Sequence, residues 1–152
     1  MRTKYLILTL IGLFFTIVSQ SQNLTQKYNS LLERYEFYDS YGNLKAYAKK
    51  NKLLNQIEYY DNYGNLIKTQ KQNNLLNRTE TYDNYGNQSG YEKNNSLLNQ
   101  RESYDSNGNQ KLTKKWNELL ERYEVYNTYG NMIGYYKYNS LLEKWEYFKS
   151  SY

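Results

Sequence analysis

One spacing governs this chain. Leu-Leu occurs at 31–32, 53–54, 75–76, 97–98, 119–120 and 141–142, each pair 22 residues after the last. The hexapeptides YDSYGN (38–43), YDNYGN (60–65 and 82–87), YDSNGN (104–109) and YNTYGN (126–131) keep the same step. A chain that writes one unit repeatedly builds one local structure repeatedly, and each copy buries its apolar side against its neighbours. Six units begin at Asn29, Asn51, Asn73, Asn95, Asn117 and Asn139, and a glutamate follows seven residues later in each (Glu36, Glu58, Glu80, Glu102, Glu124, Glu146). The sixth stops after its first half.

The hexapeptide is a turn. Asp39 suits the first position of a type I turn, where its carboxylate accepts from the turn backbone, and Gly42 suits the left-handed position that closes a three-residue hairpin loop. The flanking segments, 31–39 and 43–49 in the first unit, alternate and are rich in aromatics, which predicts strands. Asn at the head of each unit tolerates positive φ and predicts a second, tighter turn there. Residues 23–28, NLTQKY, match the second half of a unit: Thr25 aligns with Thr69 and Thr113, and Lys27 with Lys49, Lys71, Lys93, Lys115 and Lys137. About twelve strands are expected.

Two architectures have this period. In a solenoid equivalent residues stack about 4.8 Å apart, and in a meander about 9.6 Å. Six Glu and five Lys stacked at the closer spacing would repel, whereas a hairpin sets Glu33 near Lys49 and Glu121 near Lys137. The expectation is an all-β, elongated antiparallel meander of hairpins, with a β-solenoid, favoured by the Asn columns, as the alternative. Along the first strand Leu32, Arg34, Glu36 and Tyr38 share a face that barely varies between units, the face expected to pack or pair regularly. The opposite face varies from Ile57 to Thr79, Arg101, Tyr123 and Trp145, and contacts particular to this protein are expected there.

The motif Tyr38-Asp39-x-x-Gly42-Asn43-Leu44, repeated at Tyr60, Asp61, Gly64, Asn65 and Leu66, resembles the YD repeats of bacterial RHS proteins and teneurins. It is also similar to bacterial MORN-like variant repeats. Both likenesses imply β-hairpin arrays. Neither transfers a site, since an RHS shell needs many more repeats and the MORN glycine pairs are missing.

Arg2 and Lys4 precede an apolar run at 5–18, followed by Ser19-Gln20-Ser21. That is the layout of a secretory signal peptide, residues 1–21, with cleavage after Ser21 or alternatively Ser19, or else of a retained anchor. The repeat domain is then 22–152, secreted, periplasmic or at the cell surface. Removal of Arg2 and Lys4 from 20 basic residues leaves 18 against 15 acidic ones, a net +3 too evenly spread for nucleic acid.

The chain has no His and no Cys. Nucleophile pairs built on either, thiolate chemistry and Cys/His zinc sites are excluded. A carboxylate demanded by every unit reads as structural, so no enzyme activity, cofactor or metal is expected. Trp116, Tyr136, Tyr138 and Trp145 concentrate toward the C-terminus, where other units have Lys, Gln or Asn. They are the candidate binding residues, for a protein partner or a surface glycan, and otherwise cap the terminal edge. The expected function is that of an exported, non-enzymatic interaction or structural element. Alternatives are a carbohydrate-binding module and an antitoxin- or immunity-type partner. Open sheet edges would favour self-association.

Overall fold

A computed structural model describes residues 24–150; the segment 1–21, expected from its sequence to be a signal peptide, lies outside them. Twelve strands run in chain order: β1 (Thr25–Asn29), β2 (Arg34–Tyr38), β3 (Leu44–Asn51), β4 (Gln56–Asp61), β5 (Leu66–Asn73), β6 (Arg78–Asp83), β7 (Gln88–Asn95), β8 (Gln100–Asp105), β9 (Gln110–Asn117), β10 (Arg122–Asn127), β11 (Met132–Asn139) and β12 (Lys144–Lys149). Each pairs antiparallel with its chain neighbours, and β1 pairs with β12. The sheet is therefore a closed barrel, neither the elongated meander nor the solenoid expected from the repeat.

The repeat frame explains the closure. In the first unit Glu36 faces Tyr47 and Tyr35 faces Ala48. At the seam Glu146 faces Thr25 and Trp145 faces Gln26, which is that same register in the sixth unit. β12 supplies the first half of the sixth hairpin and β1 the second, so the leftover half-unit at each end completes the other. Full closure removes the edges an open sheet would leave.

The hairpin turn follows its sequence. Gly42 N–H donates to Asp39 O at 3.1 Å, Asp39 N–H donates to Asn43 O at 3.0 Å, and Gly42 has φ +83°. The Asp39 carboxylate also accepts from the N–H groups of Tyr41 and Asn43, both at 2.9 Å. The register shifts by a bulge next to the turn, between Phe37 and Tyr38.

The second turn differs from expectation. The Leu-Leu pair lies in it rather than in a strand, and the positive φ falls on the residue after the pair: Glu33, Asn55, Asn77, Asn99, Glu121 and Glu143, at 46–49°. The leading Asn acts through its side chain instead. Its Oδ1 accepts from the second leucine N–H at 3.0–3.2 Å in all six units, which satisfies a turn donor. Charge pairing shifts accordingly. Lys49 sits between Arg34 and Glu58, and Lys137 between Arg122 and Glu146, while Glu33 reaches Lys52 at 3.9 Å.

The two faces separate by role. The constant face points outward, and every unit builds the same cluster there: the Asn amide donates to the Glu carboxylate at 2.7–3.3 Å in all six. In five units the Tyr two residues beyond the Glu donates its hydroxyl at 2.6–2.7 Å. Partial burial pushes the Glu36 carboxyl up, but hydrogen bonds from Tyr38, Arg34 and Asn29 outweigh it and hold it below the ordinary range. The variable face lines the lumen. Outside, each hairpin meets the same neighbours, so one solution serves six times; inside, opposing walls must fit one another, so each position is solved separately.

A finer period also appears outside. The first, third and fifth units place Arg34, Arg78 and Arg122 over the rings of Tyr47, Tyr91 and Tyr135 at 4.2–4.3 Å. Those rings stack in turn on Tyr60, Tyr104 and Phe148, with centroids 4.8–5.1 Å apart. The second and fourth units carry Gln56 with Thr69 and Gln100 with Thr113 instead. The exterior thus repeats every two hairpins.

Candidate functional site

The lumen has three walls. β2–β4 contribute Phe37, Ala46, Ala48 and Tyr59, all buried. β9–β12 contribute Val125, Tyr136, Trp145 and Tyr147, with Trp116 and Tyr123 packed against them. Between them, β5–β9 turn inward Lys68, Gln70, Thr81, Glu92, Arg101, Ser103 and Lys114, of which all but Arg101 are buried.

The four aromatic residues singled out from the sequence gather on the second aromatic wall. Trp116 and the directly paired Tyr138 and Trp145 lie nearest the Leu-Leu turns, and Tyr136 lies one layer deeper along its strand. Trp145 meets Tyr138 with ring centroids 5.4 Å apart and Tyr123 at 5.7 Å; Tyr123 meets Trp116 at 4.5 Å. Tyr136 packs on Tyr147 at 4.8 Å. Tyr123 is the link the sequence reading did not single out. Its register opposite both Trp116 and Tyr136 was the available signal. Tyr147 holds its place by donating to Ile133 O at 3.1 Å. It lies over Gly134, where any Cβ would collide with its hydroxyl.

The mouth beside this cluster has an apolar rim. The first leucine of every pair is 89–95% exposed: Leu31, Leu53, Leu75, Leu97, Leu119 and Leu141. At the opposite end Tyr41, Tyr63, Tyr85 and Tyr129 stand out from the hairpin turns, 83–87% exposed. Rings of exposed apolar side chains on this scale mark contact surfaces.

The polar wall was not recognised from the sequence. Lys114 Nζ lies 3.4 Å from Glu92 Oε1, and Arg101 Nη1 lies 3.9 Å from Glu92 Oε2. Lys68 Nζ sits 4.6 Å above the Tyr59 ring, whose hydroxyl donates to Gln70 at 2.6 Å. Burial pulls Lys68 down to about 7, against the attraction of Glu92 and with the repulsion of Lys114. Burial also lowers Lys114. Burial pushes Tyr136 and Tyr59 up, with Glu92 adding to both, so Glu92, Tyr59 and Tyr136 share one electrostatic space across the lumen.

These features define a closed twelve-stranded antiparallel barrel of hairpin repeats with a chemically divided interior. No family model matches the chain, and no curated protein matches it. A solved structure of an Arabidopsis thaliana protein is similar in fold, with a TM-score of 0.62 at 11% identity, covering 84% of this chain and 79% of that one.

Proposed function

We propose that this is an exported, non-enzymatic interaction protein that engages a partner protein through its leucine-ringed mouth, with Trp116, Tyr138, Trp145 and Tyr136 as recognition residues. The observation that carries the reading is the convergence of Trp116, Tyr138 and Trp145, through Tyr123, beside that mouth, with Tyr136 opposite Tyr123 in register. Large rings offer contact area at small entropic cost. The exposed leucines extend that area in a form suited to an apolar protein surface. An antitoxin- or immunity-type role is one instance of it.

A non-enzymatic role is supported by the state of the repeated glutamates. Glycoside hydrolysis needs one carboxyl held high as the acid, and hydrogen bonds hold all six low. A secreted, periplasmic or surface location rests on the N-terminal pattern. The outward face, with Glu and a cation in every unit, differs from the apolar band of a bilayer-facing barrel. Kinship with YD-type or MORN-like hairpin repeats is supported by the shared turn chemistry.

The second reading, carbohydrate binding, is favoured by Trp116 and Trp145, which flank Tyr123, since indole faces stack on sugar rings. Affinity capture from the cell envelope with the wild-type protein and a Trp116→Ala/Tyr138→Ala variant separates the two. A protein retained by the wild type alone supports the first. Glycan-array binding lost in the variant, with no protein captured, supports the second. Equal capture by wild type and variant would overturn the assignment of these residues.

A further inference from the structure

The leucine-ringed mouth is not uniform around its circumference. Its six turns follow one another in strand order, and because β12 pairs with β1, the β9–β10, β11–β12 and β1–β2 turns are neighbours. These three carry Glu118 with Glu121, Glu143 and Glu33, all exposed. The other three carry one charge, Lys52. Half of the rim is thus acidic in a chain whose overall balance is basic, 20 Lys and Arg against 15 Asp and Glu. Among the described residues, the only ion pair made by these four glutamates is Glu33 with Lys52, at 3.9 Å and with both side chains largely in solvent. A pair of that kind contributes little.

The layer of strand residues just inside the rim divides along the same line. Under the acidic turns the register sets Tyr28 opposite Tyr35, Trp116 opposite Tyr123 and Tyr138 opposite Trp145. Under the other three it sets Lys50 opposite Ile57, Gln72 opposite Thr79 and Asn94 opposite Arg101. One half of the mouth is therefore aromatic and acidic. The other half is mainly polar and carries the cations Lys50, Lys52 and Arg101. Tyr28 and Tyr138, on the two strands that flank β12, are 48% and 39% exposed, so ring surface is reachable from outside.

We propose that the aromatic half of the mouth docks a cationic segment of a partner protein, one that carries lysine or arginine among apolar residues. The inference rests on the mouth being the contact surface proposed above, and names the chemistry of what it contacts. Charge selects the occupant: the glutamates draw a cation to this half, and Lys50, Lys52 and Arg101 repel it from the other. The exposed leucines and rings take the apolar residues and the methylene stems of the basic ones. A lysine or arginine head over Tyr28 or Tyr138 is attracted by the ring face. The protein makes that same contact within itself on its outer wall, where Arg34, Arg78 and Arg122 lie 4.2–4.3 Å from tyrosine ring centroids. A neutral segment, or a sugar, would use the rings and leave the glutamates without a role.

The chain has two tryptophans, Trp116 and Trp145, and both lie in this half, so tryptophan emission reports its occupancy. Titration of the purified protein with three end-blocked peptides of one frame, LKFKLKF, LQFQLQF and LEFELEF, tests the proposal. At low salt LKFKLKF is expected to shift the emission and to bind roughly fivefold more tightly than LQFQLQF, the scale set by a few exposed charge pairs. LEFELEF should bind most weakly, and high salt should narrow the differences. A variant combining Glu33→Asn, Glu118→Asn, Glu121→Asn and Glu143→Asn should remove the preference. Its turns keep their conformation, because Asn74 stands at the position of Glu118, and Asn55, Asn77 and Asn99 stand at that of the other three. Equal binding of LKFKLKF and LQFQLQF, an undiminished preference in that variant, or no binding of any peptide would overturn the proposal. So would sedimentation showing a dimer that Trp116→Ala/Tyr138→Ala disperses and LKFKLKF does not, which assigns the mouth to a second copy. Peptides that bind without charge preference, and are lost in Trp116→Ala/Tyr138→Ala, would overturn the cationic partner alone and leave the mouth as a contact surface.

Discussion

At the scale of single residues, the outer glutamate holds the repeat together. Glu80 takes Asn73, Arg78 and Tyr82 at 2.7–3.0 Å, so its loss leaves three donors without their acceptor. Glu80→Ala should destabilise the fold by about 1–3 kcal/mol, read from denaturant midpoints, and Glu58→Ala by a similar amount. The pH consequence has a definite sign. A carboxyl held below its unfolded value of 4.5 contributes stability above that pH and loses it as pH falls through the folded value. Six such groups act together, so the melting temperature should be level from pH 7 to about 5 and drop below about 4.5. Lys68 acts in the opposite direction. Its folded value of about 7 lies below the unfolded 10.5, so its burden is full below 7 and is relieved as pH rises toward 10. Stability should therefore climb between pH 7 and 9, and Lys68→Met should flatten that slope. The glutamates were legible as structural because every unit demands them. Lys68 and Glu92 were not, because the repeat sets nothing on the face they occupy.

At the scale of the element, each hairpin combines a turn fixed by its own sequence with a face fixed by its neighbours. The Asp-x-x-Gly-Asn turn was fully readable, since every donor and acceptor in it is local. The Leu-Leu turn was misread because alternation of apolar residues imitates a strand, and because the Asn capping it works through its side chain rather than its φ. Between hairpins, the Arg78–Tyr91–Tyr104 stack is an interaction that alternate units lack. A double-mutant cycle of Arg78→Gln and Tyr91→Thr should return a coupling of about 0.5–1 kcal/mol. The double variant simply turns the third unit into the type found at Gln56 and Thr69. The lumen is less tolerant. Gly134→Ala drives a methyl group into the Tyr147 hydroxyl and should lower the melting temperature clearly, while Gly134→Ala combined with Tyr147→Phe should recover part of the loss.

At the scale of the whole molecule, closure depends on a joint that is shorter than any other. β1 and β12 meet over two residue pairs, whereas the other strand pairs meet over five or six. The next pair along would be Lys27 opposite Lys144, which are like charges, although the same position is also basic opposite basic or Gln in the intact hairpins. What those hairpins have and the seam lacks is a covalent turn holding the strands together. This is why the closed form was not legible. Each half-unit at a chain end reads as a leftover, and only a ring of six units brings the two leftovers together. The same reasoning makes the position of the break arbitrary. A circular permutant that joins residue 148 to residue 24 through Asp-Ser-Tyr-Gly-Asn-Leu-Lys, the stretch that follows Tyr38 in the first unit, and opens the chain between Asn84 and Tyr85, retains all the other hairpins. It should fold to the same barrel, judged by circular dichroism and tryptophan fluorescence. In the parent, amide exchange should be fastest along β1 and β12; in the permutant it should move to β6 and β7. Exchange that stayed at β1 and β12 after they were covalently joined would mean that their strands are intrinsically weak, and that the missing turn is not what limits the joint.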